Sequence, residues 1–229
     1  MSGKLFIVAT PIGNLSDMTF RALETLRSVD CILCEDTRVT INLLNHFEIK
    51  TPTMSYHHHS DMSKMMEIRE MLESGKDIAL VTDAGTPGVS DPGNILIEFL
   101  TSSESNSVIE VVPIPGASAL TAALSISGFP TDKVLFLGFP PHKNKRQQFF
   151  KNAAESEYTV VFFESNHRIK KAIASLLEFL PENRKVMIVR ELTKKFEAVY
   201  RGTISEIAKM NMSEKGEFVI VINHSKYAE

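Results

Sequence analysis

Residues 79–93 read Ala79-Leu80-Val81-Thr82-Asp83-Ala84-Gly85-Thr86-Pro87-Gly88-Val89-Ser90-Asp91-Pro92-Gly93. The stretch opens inside a short apolar run, Asp77–Thr82, rich in branched side chains, which is the composition of a buried strand. Residues 83–93 are neither strand nor helix, because Gly85, Gly88, Gly93, Pro87 and Pro92 break both periodicities. Helical patterning resumes at Asn94-Ile95-Leu96-Ile97-Glu98-Phe99-Leu100. Strand-to-helix connectors usually take roughly two to six residues and this one takes about eleven, so it reads as a ligand loop rather than a passive link. It leaves the C-terminal end of a strand, where open α/β sheets bind their ligands.

Working outward, the first half alternates strand and helix. Strands are expected at Lys4–Ala9, Cys31–Cys34, Thr53–Tyr56, Ile78–Thr82 and Val108–Val112. Helices are expected after Asp17 as cap (apolar at Phe20, Leu23 and Leu26), at Thr37–Phe47, at Ser60–Ser74 and at Ile95–Leu100. The apolar face of Ser60–Ser74 is Met62, Met65, Met66, Ile68, Met71 and Leu72, which reads as core. This alternation implies a mostly parallel sheet with helices on both faces. Pro113-Ile114-Pro115-Gly116 marks a seam, followed by a helix of small residues over Ala117–Ser127. The second half mixes strands at Val134–Phe139, Thr159–Phe163, Lys185–Arg190, Glu197–Gly202 and Glu217–Asn223 with helices near Lys145–Ala154, Ile169–Phe179 and Ser205–Met210, the pattern of a mixed sheet. Two α/β domains are expected, residues 1–114 and 115–229.

The totals fit an ordinary globular chain of 229 residues, 43% hydrophobic and 23% charged. No apolar run approaches the ~20 residues of a membrane span, and the N-terminus reads as a first buried strand rather than a signal peptide, so a cytoplasmic protein is expected. The net charge of −3 conceals an asymmetry: residues 1–115 hold 8 Lys/Arg against 16 Asp/Glu, the remainder 17 against 12. A basic second half suits an anionic partner. Cys31 and Cys34 have C-x-x-C spacing, but on a strand side chains three apart face opposite ways, which argues against a metal or redox pair.

Neither phosphate-cradle signature, G-x-x-x-x-G-K-[ST] or G-x-G-x-x-G, occurs, nor does a G-x-S-x-G elbow. Four stretches sit instead where strands end: Thr10–Leu15, Cys34–Arg38, the opening loop and Phe163–Arg168. A parallel first half brings three of them to one edge, as a site requires. Each taken alone also reads as a helix cap or a turn.

Together with Ser55-Tyr56-His57 and Pro113-Ile114-Pro115-Gly116-Ala117-Ser118-Ala119, these stretches closely resemble the ribosomal RNA small-subunit methyltransferase branch of the tetrapyrrole methylase superfamily. The stretches are Val8-Ala9-Thr10-Pro11-Ile12-Gly13-Asn14-Leu15, Cys34-Glu35-Asp36-Thr37-Arg38, Val81 to Gly93 and Phe163-Glu164-Ser165-Asn166-His167-Arg168. The resemblance runs from Leu5 to about Ile222. It implies methyl transfer from S-adenosyl-L-methionine (SAM) to the ribose 2′-oxygen of a cytidine in the decoding region of 16S rRNA, free or in the 30S subunit; the alternatives are a C-methyltransferase of the same superfamily acting on a tetrapyrrole, and a non-catalytic RNA-binding relative. It also implies a homodimer, and two α/β domains with SAM in the cleft between them. Carried over residue by residue, the SAM set is Pro11, Gly13, Asp83, Ala84, Gly85, Thr86, Ser90, Gly116, Ala117, Ser118 and Phe139. Asn166 stands where the family usually has proline, which is expected to loosen the turn before His167.

A ribose hydroxyl attacks poorly until it is deprotonated, so a general base is useful. Glu35, Asp36, His57, Glu164 and Glu191 are the candidates. Arg38, grouped with the catalytic set, and Arg168 suit phosphate or carboxylate binding better than base work. No metal is required, and His57-His58-His59 reads as loop. For RNA the candidates are the basic clusters containing Lys143, Lys145 and Arg146; Arg168, Lys170 and Lys171; and Lys194 with Lys195. Phe149, Phe150 and Phe196 beside them read equally as stacking residues or as core.

Overall fold

A computed structural model describes residues 2–57, 60–102 and 108–224. The chain divides into two compact units, Met1–Ser118 and Ala119–Glu229.

The first unit holds β1 (Lys4–Val8), α1 (Phe20–Ser28), β2 (Cys31–Cys34), α2 (Thr37–His46), β3 (Thr53–Ser55), α3 (Met62–Glu73), β4 (Ile78–Leu80), α4 (Asn94–Thr101) and β5 (Glu110–Ile114). Its sheet runs β3-β2-β4-β1-β5 with every pairing parallel. Ala22 and Leu26 of α1 and Leu44 of α2 pack one face, with Ile32, Cys34 and Ala79. Met65, Ile68 and Leu72 of α3 and Leu96 and Leu100 of α4 pack the other, with Leu33, Ile78 and Leu80. Covered on both sides, the strands are short runs of apolar residues. The order of connection reverses in the middle of the sheet: β1 is followed by a crossover toward β2, and β4 by one toward β5. The adjacent ends of β1 and β4 therefore form a topological switch point, the position at which open α/β sheets hold a ligand crevice.

The second unit holds α5 (Ala119–Ser127), β6 (Val134–Phe136), α6 (Arg146–Glu155), β7 (Thr159–Ser165), α7 (Ile169–Phe179), β8 (Lys185–Arg190), β9 (Ala198–Thr203), α8 (Ile204–Ile207) and β10 (Glu217–Ile222). Its order is β6-β7-β10-β8-β9, with β6 parallel to β7 and the other pairs antiparallel. Phe150, Phe162, Ile169, Leu176, Ile188, Phe218 and Ile220 build the core beneath α6, α7 and α8. Ala123 of α5 lies on the opposite face with Val161, Met187 and Val221. A parallel sheet followed by a mixed one is the α/β architecture expected.

Local details differ from the expectation. Asp17 does not cap α1. It ends a short 3-10 turn, and the Thr19 hydroxyl accepts from the Ala22 N–H instead. The helix consequently starts later and buries Ala22, Thr25 and Leu26, leaving Phe20 88% exposed. On α3, Met62 and Met66 are exposed and only Met65, Ile68 and Leu72 are fully inside. Pro113, read as part of a seam, lies within β5; as an edge strand, β5 tolerates a residue with no N–H to donate. Cys31 and Cys34 are both buried, and burial pushes both thiols up. His58 and His59 lie outside the described residues.

Candidate active site

The carboxyl ends of the five parallel strands form one edge, and short hydrogen bonds tie its loops together. After β1, Thr10 makes a two-way backbone bridge with Gly85, N–H to O at 2.9 Å and O to N–H at 3.1 Å. The Thr10 hydroxyl donates to the Thr82 carbonyl at 3.1 Å. After β2, the Asp36 N–H donates to Asp83 Oδ1 at 3.3 Å. Beyond β5, the Ala117 carbonyl accepts from the Thr86 hydroxyl at 3.3 Å. The long loop after β4 is thus pinned on three sides, and Asp83 braces the neighbouring β2 loop.

Gly85 sits at φ 88°, and a Cβ there would lie 3.4 Å from Ile12 Cγ2 and 3.9 Å from the Ala117 carbonyl oxygen. Gly116 is closer still to its neighbour, since a Cβ would come within 3.0 Å of Ala9 Cβ. Gly116 lets the chain pass close against Ala9, and Gly85 supplies a left-handed backbone turn that side chains with a Cβ rarely take. Just after β4, Thr82 is 3% exposed and its hydroxyl has no partner among the described residues. Buried hydroxyls seldom stay unpaired, so this one fits a site that takes a polar ligand.

Around this crevice Pro11 is buried; Gly13, Asp83, Ala84 and Ser90 are exposed; Thr86, Ala117 and Ser118 are half-buried. Ser90 holds φ 62° in the outer turn of the loop. Phe139, in the second unit, is 52% exposed and meets Phe163 edge-on at 5.5 Å. Missing from the expected set were Thr10 and Thr82. Their signal was present: both are hydroxyl residues at strand ends inside the quoted motifs.

The candidate bases separate. Asp36 caps α2, accepting from the Arg38 N–H at 2.9 Å, and is gripped by the guanidinium of Arg38 at 3.0 and 2.6 Å. The Arg38 side chain holds the Asp36 carboxyl down from 3.8 to about 2, so it is a poor proton acceptor near neutrality. Glu164 is excluded on different grounds. It is 1% exposed, with Oε2 on Arg146 at 2.9 Å and Oε1 on Arg168 at 2.9 Å. Glu191 lies in the second unit, its Oε1 taken by the Glu217 N–H and by Lys194. Partial burial pushes that carboxyl up, but these two donors outweigh it and hold it low. Glu35 and His57 remain, at the ends of β2 and β3, which are neighbours in the sheet.

The basic residues of the second unit sort the same way. Arg146 and Arg168 turn inward: besides gripping Glu164 they donate to the carbonyls of Pro141 (3.3 Å) and Pro140 (3.0 Å). They fix the 139–145 loop rather than offering charge to a phosphate. Lys143, Lys145, Lys170 and Lys171 are all exposed, and Lys170 pairs with Glu214 at 2.5 Å. Phe150 is fully buried and Phe149 packs against the same core, so both are core residues; Phe196 is 64% exposed. The turn before His167 is not loosened by Asn166. Its Oδ1 accepts from the His167 N–H at 2.9 Å, and the Arg168 N–H reaches the Ser165 carbonyl at 3.1 Å.

A parallel α/β unit with a glycine-rich loop at its switch point, joined to a mixed α/β unit, is the architecture of a methyltransferase class. The solved methyltransferase CobJ matches it with a TM-score of 0.72 over 98% of this chain and 95% of that one, at 17% identity, which speaks to fold alone. The family model for tetrapyrrole (corrin/porphyrin) methylases matches residues 4–208, and the chain belongs to that family of SAM-dependent methyltransferases. Among its relatives, proteins named ribosomal RNA small subunit methyltransferase I are 49% identical in Synechocystis sp. (96% of this chain, 78% of the relative) and 43% identical in Leptospira biflexa (98% and 92%).

Proposed function

We propose that this protein transfers the methyl group of SAM to the ribose 2′-oxygen of a cytidine in the decoding region of 16S rRNA. Identity of 49% over 96% of the chain to a relative named for small-subunit rRNA methylation carries the reading. The same reading includes a homodimer acting in the cytoplasm on free rRNA or the 30S subunit. Among the described residues no helix is long and apolar enough to cross a membrane.

SAM supplies an electrophilic methyl on a sulfonium. The chain's part is to hold acceptor and donor in line, which is mainly positioning. The backbone around Gly85, Thr86, Gly116 and Ala117, with Pro11, Gly13 and the Thr82 hydroxyl, forms the donor side at the switch point. Asp83, Ala84, Ser90 and Ser118 complete the proposed contacts of the first unit. On the acceptor side, Glu35 and His57 are the proposed bases for the 2′-hydroxyl proton, imidazole being the commonest general base. Arg38, its guanidinium anchored by Asp36, is placed to meet a phosphate. Lys143, Lys145 and Lys171 supply further cationic contacts.

Labelled SAM incubated with small-subunit rRNA, 30S subunits and uroporphyrinogen in parallel tests the reading. Nucleoside analysis should find 2′-O-methylcytidine in the RNA. Label confined to the tetrapyrrole, or on a base rather than a ribose, would sink it.

A further inference from the structure

The turn from β8 to β9, residues 191–197, is built at unusual conformational cost. Glu191 (φ 52°) and Thr193 (φ 66°) both adopt left-handed backbone, which side chains with a Cβ rarely take. The Thr193 hydroxyl is buried without a partner among the described residues. Polar groups over-determine the shape. Arg190 donates to the carbonyls of Lys215 at 2.5 Å and Phe196 at 2.9 Å. Lys194 bridges Glu191 at 3.2 Å and Glu217 at 2.7 Å. The Thr193 N–H donates to Glu197 Oε2 at 2.6 Å.

All three carboxylates of the turn and its neighbour strand are therefore engaged internally. Left facing outward are Lys195 and Phe196, with the ammonium 5.7 Å from the ring centroid and the ring 64% exposed. An exposed phenylalanine on a rigid turn contributes little to the fold, and a rigid aromatic loses little freedom when something stacks on it.

Strand register gives this turn its neighbours. Ser165 pairs with Glu217, Phe218 with Arg190, and Arg190 with Ala198, so the ends of β7 and β8 and the starts of β10 and β9 share one edge. β6 ends there too, being parallel to β7, and leads into Lys143 and Lys145; Lys215 precedes β10. The edge spans four strand spacings, roughly 19 Å. It presents exposed lysines along its length and an exposed aromatic ring at the β8–β9 end.

We propose that the 191–197 turn is a nucleotide-binding element for single-stranded RNA, with an unpaired base stacked on Phe196 and its phosphate on Lys195. This rests on the reading that the substrate is RNA and adds where a flanking nucleotide is gripped.

The chain contains no tryptophan, so Phe196→Trp places a single reporter at the stacking position. Titration with oligocytidylate and with small-subunit rRNA should quench its emission, because a stacked base contacts the indole directly. Phe196→Ala should weaken RNA binding about five- to tenfold, with Phe196→Trp restoring it. Lys195→Gln should reduce the slope of log affinity against log salt by about 0.7. Melting temperatures should stay at the wild-type value. An unquenched tryptophan, or wild-type affinity in Phe196→Ala, overturns the proposal while leaving the RNA reading standing. So does emission that depends on protein concentration without RNA, which would mark a contact between copies. Wild-type protein that binds neither RNA overturns both.

Discussion

The two units finish their sheets in different ways. In the first, the edge at the carboxyl ends is closed by main chain: the Thr10–Gly85 bridge, the Thr86 hydroxyl on the Ala117 carbonyl, and glycines that let loops touch. In the second, ion pairs do the closing, with buried Glu164 between Arg146 and Arg168, and half-buried Lys194 between Glu191 and the exposed Glu217. A main-chain edge leaves space and oriented N–H and C=O groups, which suit a small ligand with hydroxyl, amine and carboxylate groups. A charge-closed edge consumes its carboxylates and presents lysines, which suits a polyanion. Under the proposed function the first edge would take SAM and the second the RNA.

The sharpest break is at Glu164. Glu164→Ala leaves two arginines, largely buried at 14% and 16% side-chain exposure, without their counter-charge. Removing one partner of such a cluster costs about 3–5 kcal/mol. Denaturant unfolding should show a loss of that size; less than about 1 kcal/mol would mean that the second edge is not held by charge.

In the first unit the equivalent break is steric. Gly85→Val sets a branched side chain at φ 88° against Ile12 and the Ala117 carbonyl. Calorimetry should show SAM affinity falling by at least about tenfold, since the side chain fills the space where backbone would meet ligand. Unchanged affinity would remove the switch point from the SAM site.

Much of this contrast was legible in the sequence on one side only. Strand ends in the first unit announce themselves, because glycine and proline punctuate short branched runs and place the loops at Thr10, Asp83 and Pro115, while the loop at Glu35 shows only as the polar end of the apolar run Cys31–Cys34. Ile169–Phe179 and Lys185–Arg190 also lie where periodicity placed them. The direction of the charges was not legible. Glu164 sits at a strand end among basic residues, just as a catalytic carboxylate would. Its capture by Arg146 depends on a contact across 18 positions that no local pattern encodes. The cap of α1 failed for a local reason: Asn14 starts a 3-10 turn that consumes Asp17 before the helix begins.

Because Arg146 is committed inward, the outward charge before α6 is Lys143 and Lys145. Reversing both to glutamate should lower RNA affinity by about an order of magnitude at low salt and flatten its salt dependence, with stability unchanged. Filter binding across a salt series checks this. A parallel drop in melting temperature would instead assign these lysines to the fold.

The smallest effect concerns Asp36, whose carboxylate pairs with Arg38 on the main-chain edge. Its carboxyl lies at about 2 in the folded protein against 3.8 ordinarily, held there first by the Arg38 side chain. The folded state therefore favours the ionised form. That contribution is complete above about pH 4 and is lost as pH falls toward 2. Asp36→Asn keeps a capping oxygen and removes only the charge. The gap in melting temperature between wild type and this variant should hold constant from neutral pH down to about 4, then close on further acidification. Solvent screening of so exposed a pair keeps the gap small. An equal gap at pH 3 and pH 7 would show that Asp36 acts through its shape, and the first edge would then owe nothing to charge.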